Sequence, residues 1–340
     1  MGIRLGALAS YRLRLERQRW RGRAFRKRRD LKQVSVRTKQ IKKDDIIIFS
    51  TMRNERIRLS YFLRYYRELG VNHFVIVDND SDDGSREFLA EQPDVSIWTT
   101  TKSYKKSRFG VDWLNWLLMK YGHGHWTLTV DVDEFLVFPF SDTRSIKALT
   151  DWLDASAIPS FSAMLLDMYP KGRIDALPYR SGQDPFEIAT WFDSGNYSIS
   201  KNEKYANLWI QGGPRARSFF LDSPKNAPAM NKTPLVRWDR KYAYVSSTHS
   251  LLPRTLNRVY DEYGGEKASG CLLHAKFLDT FGAKAKEELE RGQHYANSHE
   301  YKAYHAAMQE NPDLWCKWSE KYINWRQLEI LGLMSKGNWA

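Results

Sequence analysis

The sequence predicts an α/β protein built on a doubly wound, mainly parallel sheet. Three observations carry that expectation. Short apolar runs of strand length recur, amphipathic helical stretches separate them, and polar clusters follow three of the runs. In order, Ile46-Ile47-Ile48-Phe49 is continuously apolar, as a strand buried on both faces must be, and it leads into Ser50-Thr51-Met52-Arg53-Asn54-Glu55. Leu59, Phe62, Leu63, Tyr66 and Leu69 then recur at helical spacing, and Gly70 stops that helix. Residues 74–77 read as a second strand, closed by Asp78-Asn79-Asp80-Ser81-Asp82-Asp83-Gly84-Ser85. Residues 95–98 read as a third strand, and 112–121 as a helix with Trp113, Leu114, Leu117 and Leu118 inward. Residues 126–130 form a fourth strand that runs into Asp131-Val132-Asp133-Glu134, followed by the apolar 135–138. Further on come a helix over 145–155 and a strand over 161–166. A proline-rich irregular stretch fills 170–235, and a helical pattern runs from 281 with Trp315, Trp318 and Trp325 as packing anchors. The chain thus divides into a basic arm (1–43), a body (44–280) and a helical extension (281–340).

The charge is uneven. The 340 residues carry a net +13, but residues 1–43 hold 16 basic and 2 acidic side chains, so the remainder is near neutral. The excess belongs to an arm, which disfavours nucleic acid as a partner of the whole fold. Within the arm Leu5, Leu8, Tyr11 and Leu15 fall near helical spacing among arginines, without a proline. Such a helix suits an anionic membrane surface; a solvated basic tail and a non-specific nucleic-acid arm are the other readings. No apolar run approaches the ~18 residues that span a bilayer. Two cysteines exclude a disulfide scaffold and fit a reducing compartment.

The chemistry concentrates at the strand ends. On a strand, residues two apart point the same way, so Asp131 and Asp133 place two carboxylates side by side. They repel unless a cation lies between them, and hard ions such as Mn²⁺ or Mg²⁺ take oxygen ligands shared with substrate phosphates. An acidic turn is the alternative. Asp78 and Asn79 offer an acceptor and an amide to a nucleobase or ribose edge, or they close a turn. Arg53, Asn54 and Glu55 contact a nucleotide or cap the next helix. His274 and His249 are further metal ligands or core histidines. Lys232 neutralises phosphate or sits on the surface.

Taken together, Met52-Arg53-Asn54-Glu55, Asp78-Asn79-Asp80-Ser81-Asp82-Asp83-Gly84 and Asp131-Val132-Asp133-Glu134-Phe135 resemble the family 2 glycosyltransferases. The likeness is to the bacterial branch with R-N-E, D-N-x-S-D-D-G and D-V-D-E-F motifs, and it covers roughly 45–280. The resemblance implies a GT-A fold, a UDP- or GDP-sugar donor, and Mn²⁺ or Mg²⁺ held with the diphosphate at Asp131 and Asp133, with a late histidine as a further ligand. It also implies a nucleoside at Asp78 and Asn79, and Arg108 facing the donor. By the same likeness the transfer is inverting, onto a glycan or lipid-linked acceptor. Such an enzyme is cytoplasmic, peripheral on the inner face of the cell membrane, and works in surface-polysaccharide synthesis. The acidic pair that the family places after D-x-D is missing, and Asp167 and Asp193 are the candidate bases in its stead. A sugar nucleotidyltransferase is the alternative enzyme. It needs a glycine-rich loop after the first strand, and Thr51-Met52-Arg53-Asn54-Glu55 has no glycine. A non-catalytic membrane or nucleic-acid adaptor would act through the arm alone.

Overall fold

In the computed structural model of the chain, which describes residues 6–261, 263–291 and 312–339, the central element is a nine-stranded sheet. Its strands are β1 (Lys32–Ser35), β2 (Ile46–Met52), β3 (His73–Asp78), β4 (Val95–Thr99), β5 (Trp126–Thr129), β6 (Glu134–Val137), β7 (Ser160–Asp167), β11 (Asn231–Arg237) and β14 (Ser269–His274). The intervening short strands β8 (Trp191–Asp193), β9 (Tyr197–Asn202), β10 (Asn207–Gly212), β12 (Ala243–Ser246) and β13 (Ser250–Leu252), with β15 (Ser319–Lys321), form three two-stranded pairs. The sheet order is β1-β4-β3-β2-β5-β11-β7-β14-β6.

The expected parallel winding is found in β4-β3-β2-β5. Beyond β5 the sheet is antiparallel except for β7–β14. A parallel pair needs a crossover, usually helical, and β4-β3-β2-β5 obtain theirs from α2 (Arg56–Leu69), α3 (Ser85–Ala90) and α4 (Val111–Leu117). Of the later connections, β5–β6 is a short turn, β6–β7 runs through a helix over 146–155, β7–β11 through the proline-rich stretch, which holds β8–β10 and α6 (Gly213–Phe219), and β11–β14 through a segment that holds β12 and β13. The sheet is therefore mixed.

Both faces of β2 are covered, which explains its unbroken apolar run. Ile46 and Ile48 pack with Leu59, Phe62 and Tyr66 of α2, whereas Ile47 and Phe49 face Trp113, Leu117 and Trp238. Gly70 ends α2 with φ 104°, a left-handed conformation that only glycine adopts freely, and its N–H bonds the Arg67 carbonyl.

The N-terminal segment is not a detached arm. α1 (Ala7–Lys27) lies against α4: Arg23 Nε donates to Asp112 at 2.6 Å, Ala24 is fully buried, and Phe25 meets Trp116 edge-on at 5.7 Å. β1 then pairs antiparallel with β4 as the sheet's edge. Leu5 lies outside the described residues.

At the other end, α5 (Ile146–Ala155), α7 (Phe281–Arg291) and a short helix Trp325–Ile330 pack around the sheet. The segment after 281 is only partly helical: β15 pairs with β8, and Trp325 and Trp339 are buried. Trp318 is 69% exposed and is no anchor, while Trp315 meets Trp191 edge-on. Residues 292–311, on which the rest of the helical expectation falls, lie outside the described residues. No helix among the described residues is long and apolar enough to cross a membrane.

Candidate active site

Strand register builds the site. His274, the last residue of β14, is opposite Asp167 on β7 and opposite Glu134 on β6, so three chemically active residues share one row at the sheet's edge. The turn between β5 and β6 is tied down there: Glu134 N–H donates to the Asp131 carbonyl at 3.1 Å, and Ala275 N–H to the Asp133 carbonyl at 2.8 Å.

The side chains of this row form a chain of charges. Asp133 Oδ2 lies 3.2 Å from His274 Nε2, His274 Nδ1 donates to Asp167 Oδ1 at 2.7 Å, and Arg215 Nε donates to Asp167 Oδ2 at 2.6 Å. Burial alone would raise both carboxyls. His274 and Arg58 instead hold Asp133 far below the usual range, and Arg215 and His274 hold Asp167 at about 2. Burial likewise opposes charge on His274, yet the two flanking carboxylates lift it to about 8.

A second group centres on Lys232, which is buried and bonds Glu134 and, at 3.4 Å, Asp131. Burial pushes the Glu134 carboxyl up to about 7 against the attraction of Lys232, with Asp131 adding to the rise. A third group ties the β2–α2 loop to α7. Lys284 bonds Glu55, Arg58 donates to Glu55 at 2.9 Å, Arg53 and Asn54 both donate to Glu287, and Arg291 donates to Asn79 at 3.2 Å. The three groups enclose a cleft of about 290 Å³ lined by Arg53, Glu55, Asn79, Asp131, Asp133, Glu134, Lys232, His249, His274 and four further cations, Arg215, Lys276, Lys284 and Arg291.

Several candidates fall elsewhere. Asp131 and Asp133 do not act as a side-by-side pair. Residues 131–133 form a turn, so strand alternation does not apply; Asp131 goes to Lys232 and Asp133 to His274. Asp78 is fully buried, accepting from Ser81 N–H at 3.1 Å and Thr99 Oγ1 at 3.2 Å, and is absent from the cleft lining. Asn54 is used locally, accepting from Asp82 N–H at 3.0 Å, with φ 49°. Arg108 turns away to Asp112 and the Val245 carbonyl and stacks on Trp20 of α1. Asp167, held by Arg215 and His274 with no exposed surface, reaches a substrate only through His274. Asp193 is locked on Arg217 and Tyr169, away from the cleft. Neither is a competent base. His249 lines the cleft; its Nδ1 donates to the Asn231 carbonyl, and burial together with Lys232 lowers it to about 4, so it stays neutral. It does not join the Asp133–His274 pair, and among the described residues no three His, Cys, Asp or Glu side chains converge as ligands for one ion.

Glu134, Arg58, Arg215 and Lys284 were not singled out from the sequence. Glu134 directly follows the Asp131–Asp133 motif, and Arg58 stands one helical turn after Glu55. Arg215 and Lys284 carry no local signal.

No family model matches the chain, and no curated protein matches it. Among solved structures it is similar to HddC from Yersinia pseudotuberculosis, at 10% identity over 72% of this chain and 99% of that one, with a TM-score of 0.31. It is also similar to a Bacillus anthracis protein assigned as a glucose-1-phosphate thymidylyltransferase, with sucrose bound, at 7% identity over 85% of this chain and 95% of that one, with a TM-score of 0.29. Both scores fall below the level of a shared fold.

Proposed function

We propose that the cleft transfers a sugar from a nucleotide-sugar donor to a hydroxyl acceptor with the help of a divalent cation. The observation that carries this reading is the contact of Asp133 with His274 inside a cleft lined by six Lys and Arg side chains. With Nδ1–H given to Asp167, the ring turns Nε2 toward Asp133. A carboxylate oxygen and an imidazole nitrogen 3.2 Å apart suit neighbouring positions on one ion, which would take the place of the Nε2 proton that Asp133 holds, with the ring oriented by a carboxylate behind it. Two protein ligands fit Mn²⁺ or Mg²⁺, which complete their shells with phosphate oxygens and water. Bound there, the ion would offset the charge that develops on the departing nucleoside diphosphate.

The chain's own groups do the rest. Lys232, Lys276 and Arg215 hold the diphosphate by fixed charge. Arg53, Asn79 and Arg291 provide donors and acceptors at the nucleoside end. Asp131, whose side chain is 55% exposed, is the cleft carboxylate that an acceptor hydroxyl can reach, and it takes the proton in an inverting displacement. The choice of a UDP- or GDP-sugar and of a glycan or lipid-linked acceptor rests on the motif resemblance.

Nucleotidyl transfer to a sugar 1-phosphate is the second reading. It is supported by a lining in which six cations outnumber four carboxylates, and opposed by the lack of glycine between Thr51 and Glu55. A thermal-shift panel of UDP- and GDP-sugars with and without Mn²⁺ tests the first reading. The expected result is a Mn²⁺-dependent rise in Tm that Asp133→Asn and His274→Gln abolish. Stabilisation that survives in both variants refutes the site. Release of pyrophosphate from a nucleoside triphosphate and a sugar 1-phosphate, without nucleoside diphosphate release from any nucleotide sugar, selects the second reading.

A further inference from the structure

The basic residues of α1 divide between its two faces. On the inward face Arg23 bonds Asp112, Arg21 donates to the Arg240 carbonyl at 3.0 Å, and Glu16 holds Lys204 and Tyr205. These contacts fix the helix on the body. The outward face is Leu8, Tyr11, Arg12, Leu15, Arg19 and Arg26, at the three- and four-residue spacing of a single helical stripe. Leu8 is 64% exposed, Tyr11 57% and Leu15 45%. Among the described residues Arg12, Arg19 and Arg26 have no carboxylate within ion-pair distance. A helix of 21 residues therefore presents leucine, tyrosine and unneutralised arginine to the outside along about 30 Å.

From this stripe we infer that α1 is a membrane-docking surface, its outward face lying on a bilayer that contains anionic headgroups. The two halves of its chemistry single out that occupant. The arginines seek negative charge, and the leucines and Tyr11 gain only where apolar surface leaves water, which happens at the headgroup–acyl boundary. A nucleic-acid backbone would satisfy the arginines and leave the leucines wet. The rest of the chain is near neutral, so nothing in its net charge opposes approach to an anionic surface. Because the inward face is bonded to the body, docking holds the whole molecule at a fixed tilt rather than on a loose tether. The inference stands independently of the chemistry assigned to the cleft.

The test is co-sedimentation of the full-length protein with vesicles of phosphatidylglycerol in phosphatidylcholine, and with phosphatidylcholine alone. Binding only to the anionic vesicles is expected, with release in about 0.5 M salt. The variant Arg12→Gln/Arg19→Gln/Arg26→Gln should lose affinity on the order of 100-fold, about fivefold per arginine. Leu8→Ser/Leu15→Ser should lose on the order of tenfold while keeping every charge. All five side chains are solvent-facing, so an unchanged Tm shows that both variants are folded. Equal binding to neutral vesicles, no vesicle binding, or vesicle binding untouched by either variant overturns the inference. So does tight binding of a DNA duplex that the arginine variant abolishes and the leucine variant leaves intact.

Discussion

His274 owes its orientation to Asp167, which lies outside the cleft lining and is itself held by Arg215. Asp167 and Arg215 are both buried, and each is the other's compensation. Replacing Asp167 by Asn breaks its buried ion pair with Arg215, a loss of about 3–5 kcal/mol, and removes the carboxylate that holds His274 Nδ1–H. Urea unfolding of Asp167→Asn checks the first effect. The second should weaken Mn²⁺-dependent nucleotide binding about 10- to 100-fold in whatever fraction remains folded, as the loss of an orienting carboxylate does. His249 gives a pH prediction of definite sign. Burial and Lys232 hold it neutral down to about pH 4, whereas in the unfolded chain it protonates near 6.5. Below 6.5 the unfolded state binds the extra proton, so its contribution to stability is complete above that pH and falls away between about 6.5 and 4, by on the order of 3 kcal/mol. In His249→Asn, whose amide can still donate to the Asn231 carbonyl, urea midpoints measured across that window should be flatter with pH than those of the parent. That a residue lines the cleft was legible in the sequence where a local motif placed it near a strand end, as for Asp133, Asn79 and Glu55. Polar residues that serve the fold, such as Asp78 and Asp193, look the same in sequence as those that serve a ligand, because the partners that absorb them (Thr99, Arg217) are brought in by tertiary contacts.

Elements were legible in proportion to how local their causes are. β2, β3 and α2 announce themselves by an apolar run or a helical stripe, and β2 and α2 begin and end within a few residues of where those patterns do. β1 has no such signal, since Lys32-Gln33-Val34-Ser35 is a mostly exposed edge strand whose existence depends on β4. In the antiparallel half of the sheet β6 and β7 show as apolar runs, but β11 and β14 do not: they are recruited across long sequence separations, and only their register reveals that His274 meets Glu134 and Asp167. One consequence is that the described part of the N-terminal segment, residues 6–43, is part of the fold. Removing them takes away β1 and leaves buried Asp112 with Arg108 as its remaining arginine, the loss of a charge-assisted hydrogen bond worth about 1.5–3 kcal/mol before the strand is counted. A chain beginning at Asp44 should therefore show a clearly lower Tm. An unchanged Tm would mean that α1 and β1 contribute nothing to the body.

At the scale of the whole molecule, the question is whether the sequence after 281 is a separate unit or the closing piece of a single core. Trp339, the last described residue, decides it. It is buried, stacks on Phe138 at 6.2 Å and Trp152 at 5.7 Å, and meets Phe140 edge-on at 5.4 Å. Phe138 follows β6, which pairs with β14, so the tail packs beside the strand that carries His274. Ser269 N–H, at the start of β14, donates to the Ser335 carbonyl at 2.8 Å, a second bond between tail and sheet. Trp339 held this way seals the apolar face of β6 and α5, and losing it opens a cavity that neighbouring rings cannot fill. Trp339→Ala is expected to cost about 3–5 kcal/mol, although it lies one residue from the end of the sequence. If the tail and the body share one core, that cost appears in a single denaturant transition. Far-UV circular dichroism and nucleotide binding should then be lost at the same, lowered midpoint, with the slope unchanged. If the tail were its own unit, the variant would unfold in two steps and the nucleotide site would keep the parent's midpoint. Coincident loss is the outcome that the packing of Trp339 against Phe138 and Trp152 requires.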